Sequence, residues 1–235
     1  MEKFRQKSEL GFFFLWLWMY LLAQSGGELL SCAVGVRYAG TALLNALLAA
    51  FLWTWVKGQG LADYYGLCPV KLPRKDLLWF LPLVLISTHN LWSGAVRNLP
   101  LTETVFCVLT MACVGFLEEL LMRGFLFQGL KQRSVKTAVV VSTLLFGGAH
   151  TLNLRELGPV ENFMQVAGAL CFGLLCAVLL LRGGSLRPCI FAHCTINVLS
   201  VFAEAEPGRM ILLSGVQMVL MLAYTAYLVV TYHLK

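Results

Sequence analysis

Glu118, Glu119 and Arg123 lie within TVFCVLTMACVGFLEELLMRGFLFQGL, residues 104–130, a stretch that is otherwise apolar. At a bilayer centre each ionisable side chain costs roughly 2.5–3.5 kcal/mol on insertion scales, so such groups face a bundle interior or a watery cavity. On a helix, Glu119 and Arg123 are four residues apart and pair on one face. Glu118 points about 100° away around the axis and has no such local partner. Two further constellations follow. Phe146-Gly147-Gly148-Ala149-His150 places Phe146 and His150 on one face, with Asn153 beyond them. His193-Cys194-Thr195-Ile196-Asn197 does the same for His193 and Asn197. A carboxylate, two imidazoles and an amide from three helices could converge on one cavity. Peptide hydrolysis needs that kit: a base to take a proton from water, and donors for the developing oxyanion. Taken singly, each constellation also reads as packing: a buried ion network, a hydrogen-bonded histidine, an interhelical amide. Three independent polar insertions make packing the weaker account. No serine or cysteine pairs with a histidine in these motifs, and Cys194 faces another side of its helix from His193.

The elements that must carry these residues are membrane helices. The chain has 235 residues, 59% hydrophobic and 13% charged, against about a quarter charged in soluble domains, and its mean hydropathy is +0.76. Eight apolar segments can be drawn, at about 10–24, 38–56, 77–93, 104–130, 136–153, 162–181, 187–203 and 209–232, several near the ~20 residues that cross a bilayer. The expectation is an all-α polytopic membrane bundle of about eight transmembrane helices, one domain over residues 1–235, with the chemical core at about 104–203. The first segment is read as a retained helix, because no clear signal-cleavage site follows it. The seventh follows Gly183, Gly184 and Pro188 and either spans or is re-entrant.

Lys and Arg alternate between the connections. Lys3, Arg5, Lys7, Lys57, Lys71, Arg74, Lys75, Lys131, Arg133, Lys136, Arg182, Arg187 and Lys235 fall on one side, and Arg37, Arg97, Arg155 and Arg209 on the other. The positive-inside rule then puts both termini in the cytoplasm of a cell-membrane protein. The net charge of +6 is topology rather than a nucleic-acid surface, since no basic run carries interleaved aromatics. The connection from Lys57 to Asp76, with Gly58, Gly60, Gly66, Pro69 and Pro73, reads as an ordered-to-flexible cytoplasmic loop. The eight cysteines show neither CxxC nor zinc-ribbon spacing and read as small hydrophobes. His89, Asn90 and His233 read as interfacial. No internal repeat supports a transporter.

In order, Glu118-Glu119…Arg123 (EExxxR), Phe146…His150 (FxxxH) and His193…Asn197 (HxxxN) resemble the signature of the CPBP group, the CAAX proteases and bacteriocin-processing or immunity proteins of the Abi family. GSLRPCIFAHCTIN, 184–197, resembles the stretch leading into the family's last motif. The resemblance covers about residues 115–200. It implies an eight-helix intramembrane endopeptidase acting on a peptide or membrane-associated protein, in CAAX-type processing, bacteriocin or pheromone processing, or self-immunity. It further implies that Glu118 is the catalytic carboxylate, that His150 holds or activates water, and that His193 and Asn197 polarise the carbonyl and stabilise the oxyanion. Glu119, Arg123 and Phe146 take supporting positions. The family is commonly labelled metalloprotease, which would make Glu118, His150 and His193 ligands of Zn2+; a metal-free glutamate–histidine mechanism is the other reading, and the one favoured here. The alternative function is a non-proteolytic membrane scaffold or regulator that binds a partner membrane protein.

Overall fold

The computed structural model describes residues 1–155, 157–204 and 206–231. The expectations for His233 and Lys235 lie outside the described residues, and those for Arg74, Lys75 and Arg155 rest on side chains outside the description. After a short helix Glu2–Lys7 come α1 (Glu9–Val34), α2 (Ala39–Gly58), α3 (Leu81–Ser87), α4 (Leu101–Glu119), α5 (Val135–Ala149), α6 (Pro159–Gly183), α7 (Arg187–Ser200) and α8 (Pro207–Thr231). Among the described residues, sheet pairing amounts to a single bridge, Ala95 to Ala203.

Among the described residues, six helices are long and apolar enough to cross a membrane. The other two apolar segments predicted as spans are shorter. Around α3, 3-10 turns at Arg74–Phe80 and His89–Leu91 flank only seven α-helical residues, because Pro82 sits at the start of the α-turn and cannot continue a preceding ladder. Helix α7 has 14 residues.

Both short segments nevertheless run from one end of the bundle to the other. At the proximal end, the Gln132 amide donates to Glu9 and to the Tyr64 hydroxyl, the Leu186 N–H donates to Gly66, and the Lys71 N–H donates to Gly183. At the distal end Asn98 donates to the Ala203 carbonyl, Val96 N–H to Phe202, and Arg209 to Ser93. The chain between 71 and 93 and the chain between 187 and 203 therefore each traverse the bundle. Glu9 shares the proximal end with Arg182, whose guanidinium donates to the Thr231 hydroxyl.

Two connections differ from expectation. The first helix continues ten residues beyond the predicted stop at 24, since Gly27 and Gly40 let α1 and α2 touch backbone to backbone. A Cβ on Gly40 would sit 2.4 Å from the Gly27 carbonyl oxygen, and Ser31 bridges the two glycines, donating to Gly27 and accepting from the Gly40 N–H. The polar and small residues that look like a loop are the helix–helix seam. The 57–76 connection packs as a floor across the proximal end: Tyr65 and Leu67 are buried, and Ser185 donates to the Cys68 carbonyl at 2.6 Å.

The core is formed by aromatic and aliphatic residues of α1, α2, α4 and α6, including Phe12, Leu52, Phe125 and Leu175. Phe14, Trp18, Leu29, Leu144 and Val230 are exposed on the outside. An apolar exterior around a packed interior suits a bilayer solvent.

Candidate active site

Glu118 and Glu119 end the regular part of α4, and the seven residues after them, Leu120–Leu126, form a π-helical stretch before Phe127–Lys131 completes the span. Such widened turns cluster at functional positions because they re-aim side chains without ending the helix. All seven π-helical residues are buried. Glu119 and Arg123, both fully buried, pair at 3.1 Å, as their spacing predicts. The guanidinium also lies over the Phe146 ring, 4.0 Å from its centroid, a cation–π contact that shields it on the second side.

Glu119 has a further partner. His193 Nδ1 lies 3.0 Å from Glu119 Oε1. An ionised carboxylate can only accept, so the Nδ1 proton faces Glu119 and Nε2 is turned the other way. That Nε2 lies 3.7 Å from Glu118 Oε2, beyond a direct hydrogen bond but within reach of one shared water. The imidazole is held edge-on by Phe146 and Phe172, with centroids at 5.5 and 5.2 Å.

His150 closes α5. Its Nδ1 lies 2.9 Å from the Phe146 carbonyl, which can only accept, so Nε2 is again left as the free nitrogen. The 3-10 turn that follows, His150–Arg155, is tied to α6 where Asn162 donates to the His150 carbonyl at 2.9 Å. Glu118, His150 and Asn153 line one cavity of about 110 Å³ with Tyr20 and the apolar Leu17, Leu121, Met122 and Phe146. Asn153 donates to Gln165 from the rim of that turn.

His193 stands behind Glu118 rather than on the cavity wall, and Asn197 is one turn further along α7. The Asn197 amide is 3.5 Å from the Met111 carbonyl, at the α4–α7 seam. The structure thus gathers Glu118 and His150 at the cavity, with His193 against both glutamates, and leaves Asn197 outside. The seam itself depends on Gly115: a Cβ there would lie 2.7 Å from the Cys194 backbone nitrogen and 2.9 Å from its Cα. That approach is what lets α7 bring His193 onto Glu118 and Glu119.

One participant escaped sequence reading. Tyr20 of α1 donates to Glu118 Oε1 at 2.8 Å, so the carboxylate without a partner on its own helix has one from a distant part of the chain. The available signal was Tyr20 and Gln24 at four-residue spacing within an apolar helix.

Glu118, His150 and His193 carry donor types that suit a zinc ion, and each imidazole has its Nδ1 engaged by an acceptor, as ligating histidines do. Among the described residues, however, the three donors whose atoms lie within 4.8 Å of one another are Glu119, Cys176 and Cys189, all buried. Glu119 there is already committed to Arg123 and His193. All eight cysteines are free thiols, as their spacing predicts, and Cys194 donates to the Ala112 carbonyl at 3.1 Å.

The family model for type II CAAX prenyl endopeptidases, Rce1-like, matches residues 100–199. No curated protein and no solved structure matches the chain. The matched stretch begins just before α4 and ends within α7, so it contains the three polar motifs and none of α1, α2 or α3. What the matched stretch resembles is a protease, and the six long apolar helices fit a multi-pass membrane protein. The three motifs stand in order within the matched stretch, which bears out the resemblance of this part of the chain to the CPBP/CAAX protease family.

Proposed function

We propose that the protein is an intramembrane endopeptidase in which Glu118 activates water against a peptide bond of a membrane-associated substrate. The observation that carries this reading is the division of labour between adjacent carboxylates: Glu119 is occupied by Arg123 and His193, while Glu118 lines the cavity with His150.

A water between Glu118 Oε2 and an imidazole Nε2 gives its proton to Glu118 as its oxygen attacks the scissile carbonyl. The proton then passes to the leaving amine. His150, entering the cycle as an imidazolium whose Nε2 proton comes from solvent, donates that N–H to the developing oxyanion from α5 and keeps the proton, while Phe146 fixes its ring. Asn197 can add a second donor only by leaving the Met111 carbonyl, so its part requires substrate to enter the α4–α7 seam. Zn2+ held by Glu118, His150 and His193 would supply Lewis-acid polarisation of water or carbonyl. That arrangement removes Glu118 as base and leaves no unoccupied carboxylate beside it, which favours the metal-free reading.

The buried depth of the cavity suits a substrate already in the bilayer, such as a lipidated peptide or a helix end, approached from the cytoplasmic side. The positive-inside charge pattern supports a cell-membrane location with both termini in the cytoplasm. The decisive experiment compares purified wild-type protein and Glu118→Ala in liposomes on an internally quenched CAAX-type peptide, with and without a prenyl group. Profiling of processed membrane proteins and peptides in cells carrying each version accompanies it. Cleavage products that vanish with Glu118→Ala support the proposal. Full cellular function in Glu118→Ala and His150→Ala at normal expression would instead establish a non-proteolytic scaffold.

A further inference from the structure

The hydrogen bond from Tyr20 to Glu118 is the last link of a longer chain. Asn45 on α2 donates its amide to Gln24 Oε1 at 2.9 Å. Gln24 on α1 donates to the Tyr20 hydroxyl at 2.8 Å, and Tyr20 donates to Glu118 Oε1 at 2.8 Å. Asn45 is completely buried and Tyr20 nearly so. Every link points the same way, each donor aimed toward the carboxylate, so each polarises the next. Polar side chains at this depth are costly and tend to be functional. Two of them would serve as glue between α1 and α2, but glue alone does not explain why the chain leaves that seam and ends on Glu118.

The carboxylate oxygens are thereby made unequal. Tyr20 occupies Oε1, and Oε2 is the oxygen 3.7 Å from His193 Nε2. The Glu118 side chain is 20% exposed, so neighbouring atoms alone do not confine its rotamers. We propose that Tyr20 is a positioning residue that locks Glu118 with Oε2 toward the water site, and that Gln24 and Asn45 act through Tyr20. This rests on the reading of Glu118 as the base. It assigns a role to α1 and α2, which lie outside the matched residues 100–199.

The test uses Tyr20→Phe, Gln24→Leu, Asn45→Leu and the double variant Tyr20→Phe/Gln24→Leu of the full chain in liposomes, with the quenched prenylated CAAX-type peptide as probe. Loss of a hydrogen bond to a charged group predicts a fall in kcat of about 10- to 100-fold for Tyr20→Phe, with KM unchanged. Gln24→Leu and Asn45→Leu lower kcat less, and Gln24→Leu adds nothing in the Tyr20→Phe background. A second readout needs no turnover. The infrared carboxyl bands of Glu118, identified by subtracting Glu118→Gln from wild type, shift in Tyr20→Phe.

Unshifted bands overturn the contact. Shifted bands with unaltered kcat, or an effect on KM alone, overturn the positioning role. Additive losses in the double variant overturn the relay through Tyr20. Failure of the underlying reading has a different signature: Glu118→Gln would cleave the probe like wild type, while the infrared bands would still decide whether Tyr20 holds Glu118.

Discussion

His193 Nδ1 meets Glu119 Oε1 at 3.0 Å while the opposite ring nitrogen faces Glu118 Oε2 at 3.7 Å. One imidazole thus links two neighbouring carboxylates that point to different sides of α4. Glu119, fully buried and paired with Arg123, fixes the ring; Glu118, at the cavity, is the group the fixed ring serves.

Two isosteric substitutions separate these roles. Glu118→Gln removes the proposed base, and the proposed proteolysis then falls about 10²- to 10⁴-fold, with the melting temperature in detergent close to wild type. Glu119→Gln leaves Arg123 buried without its countercharge and loosens His193. Breaking a buried ion pair from one side costs about 3–5 kcal/mol, so this variant melts early and yields little folded protein. Thermal unfolding of both variants, read beside turnover, checks the pair; equal thermal behaviour would refute the division.

Gly115→Ala places a methyl group against the Cys194 backbone, at 2.7 Å from N and 2.9 Å from Cα. Backbone cannot rotate away as a side chain can, so α4 and α7 separate and His193 retreats from both glutamates. Activity falls more than stability. Cys194→Gly fails to rescue it, because the nearest obstacles are main-chain atoms. Turnover of the single and double variants decides this, and rescue would show that the thiol, 3.0 Å from the same Cβ position, is the true obstacle.

The Cys194 thiol donates to the Ala112 carbonyl, inside the α4–α7 seam and away from the cavity. Cys194→Ser, which can keep that hydrogen bond, should retain turnover within a few-fold (on the order of 1 kcal/mol or less). Loss of activity together with covalent labelling of Cys194 by a substrate-derived electrophile would return it to the list of nucleophiles.

Much of the site was legible because its chemistry is concentrated in three short motifs, each with a helical spacing that fixes shared faces. The Glu119–Arg123 pair and the Phe146–His150 contact follow directly from that spacing. The partner of Glu118 did not, since Tyr20 is 98 residues away in sequence, and its four-residue spacing from Gln24 does not say which distant group the pair meets. The π-helical stretch was equally silent: apart from Gly124, LLMRGFL consists of residues common in regular helices, and nothing in their order marks a widened turn. Segment counting drew eight apolar segments, of which six are helices long and apolar enough to cross a membrane among the described residues, and it misjudged lengths, because Gln24, Gly26 and Gly27 look like a loop until Gly40 of α2 is seen against them.

Tyr64 clasps the proximal end, its hydroxyl 2.7 and 2.8 Å from the two Glu9 oxygens. Burial, reinforced by the hydrogen bond to Glu9, pushes its pKa up to about 12, from about 10 in an unfolded chain. The folded state holds this proton more tightly. The stabilisation is therefore fully present below pH ~10 and is lost as pH rises toward ~12. The melting difference between wild type and Tyr64→Phe should be flat at neutral pH and change only across that alkaline window. A change centred near neutrality would assign the effect to another group.

Metal removal tests the assignment of Glu118 from the opposite direction. If Glu118 is the base, it must be free to take a proton, and the only adjacent carboxylate is consumed by Arg123 and His193. Protein stripped with a strong chelator, and shown by elemental emission to hold far less than stoichiometric zinc, should then cleave at the wild-type rate. Added Zn2+ should do nothing or inhibit by occupying Glu118, His150 and His193. If activity instead disappears on stripping and returns in proportion to bound zinc, Glu118 becomes a ligand. The base would then have to be sought in Glu119, at the cost of its pairing with Arg123. Comparing Glu119→Gln with wild type at full zinc occupancy would distinguish that outcome, since only a catalytic Glu119 would lose turnover while metal content stayed constant.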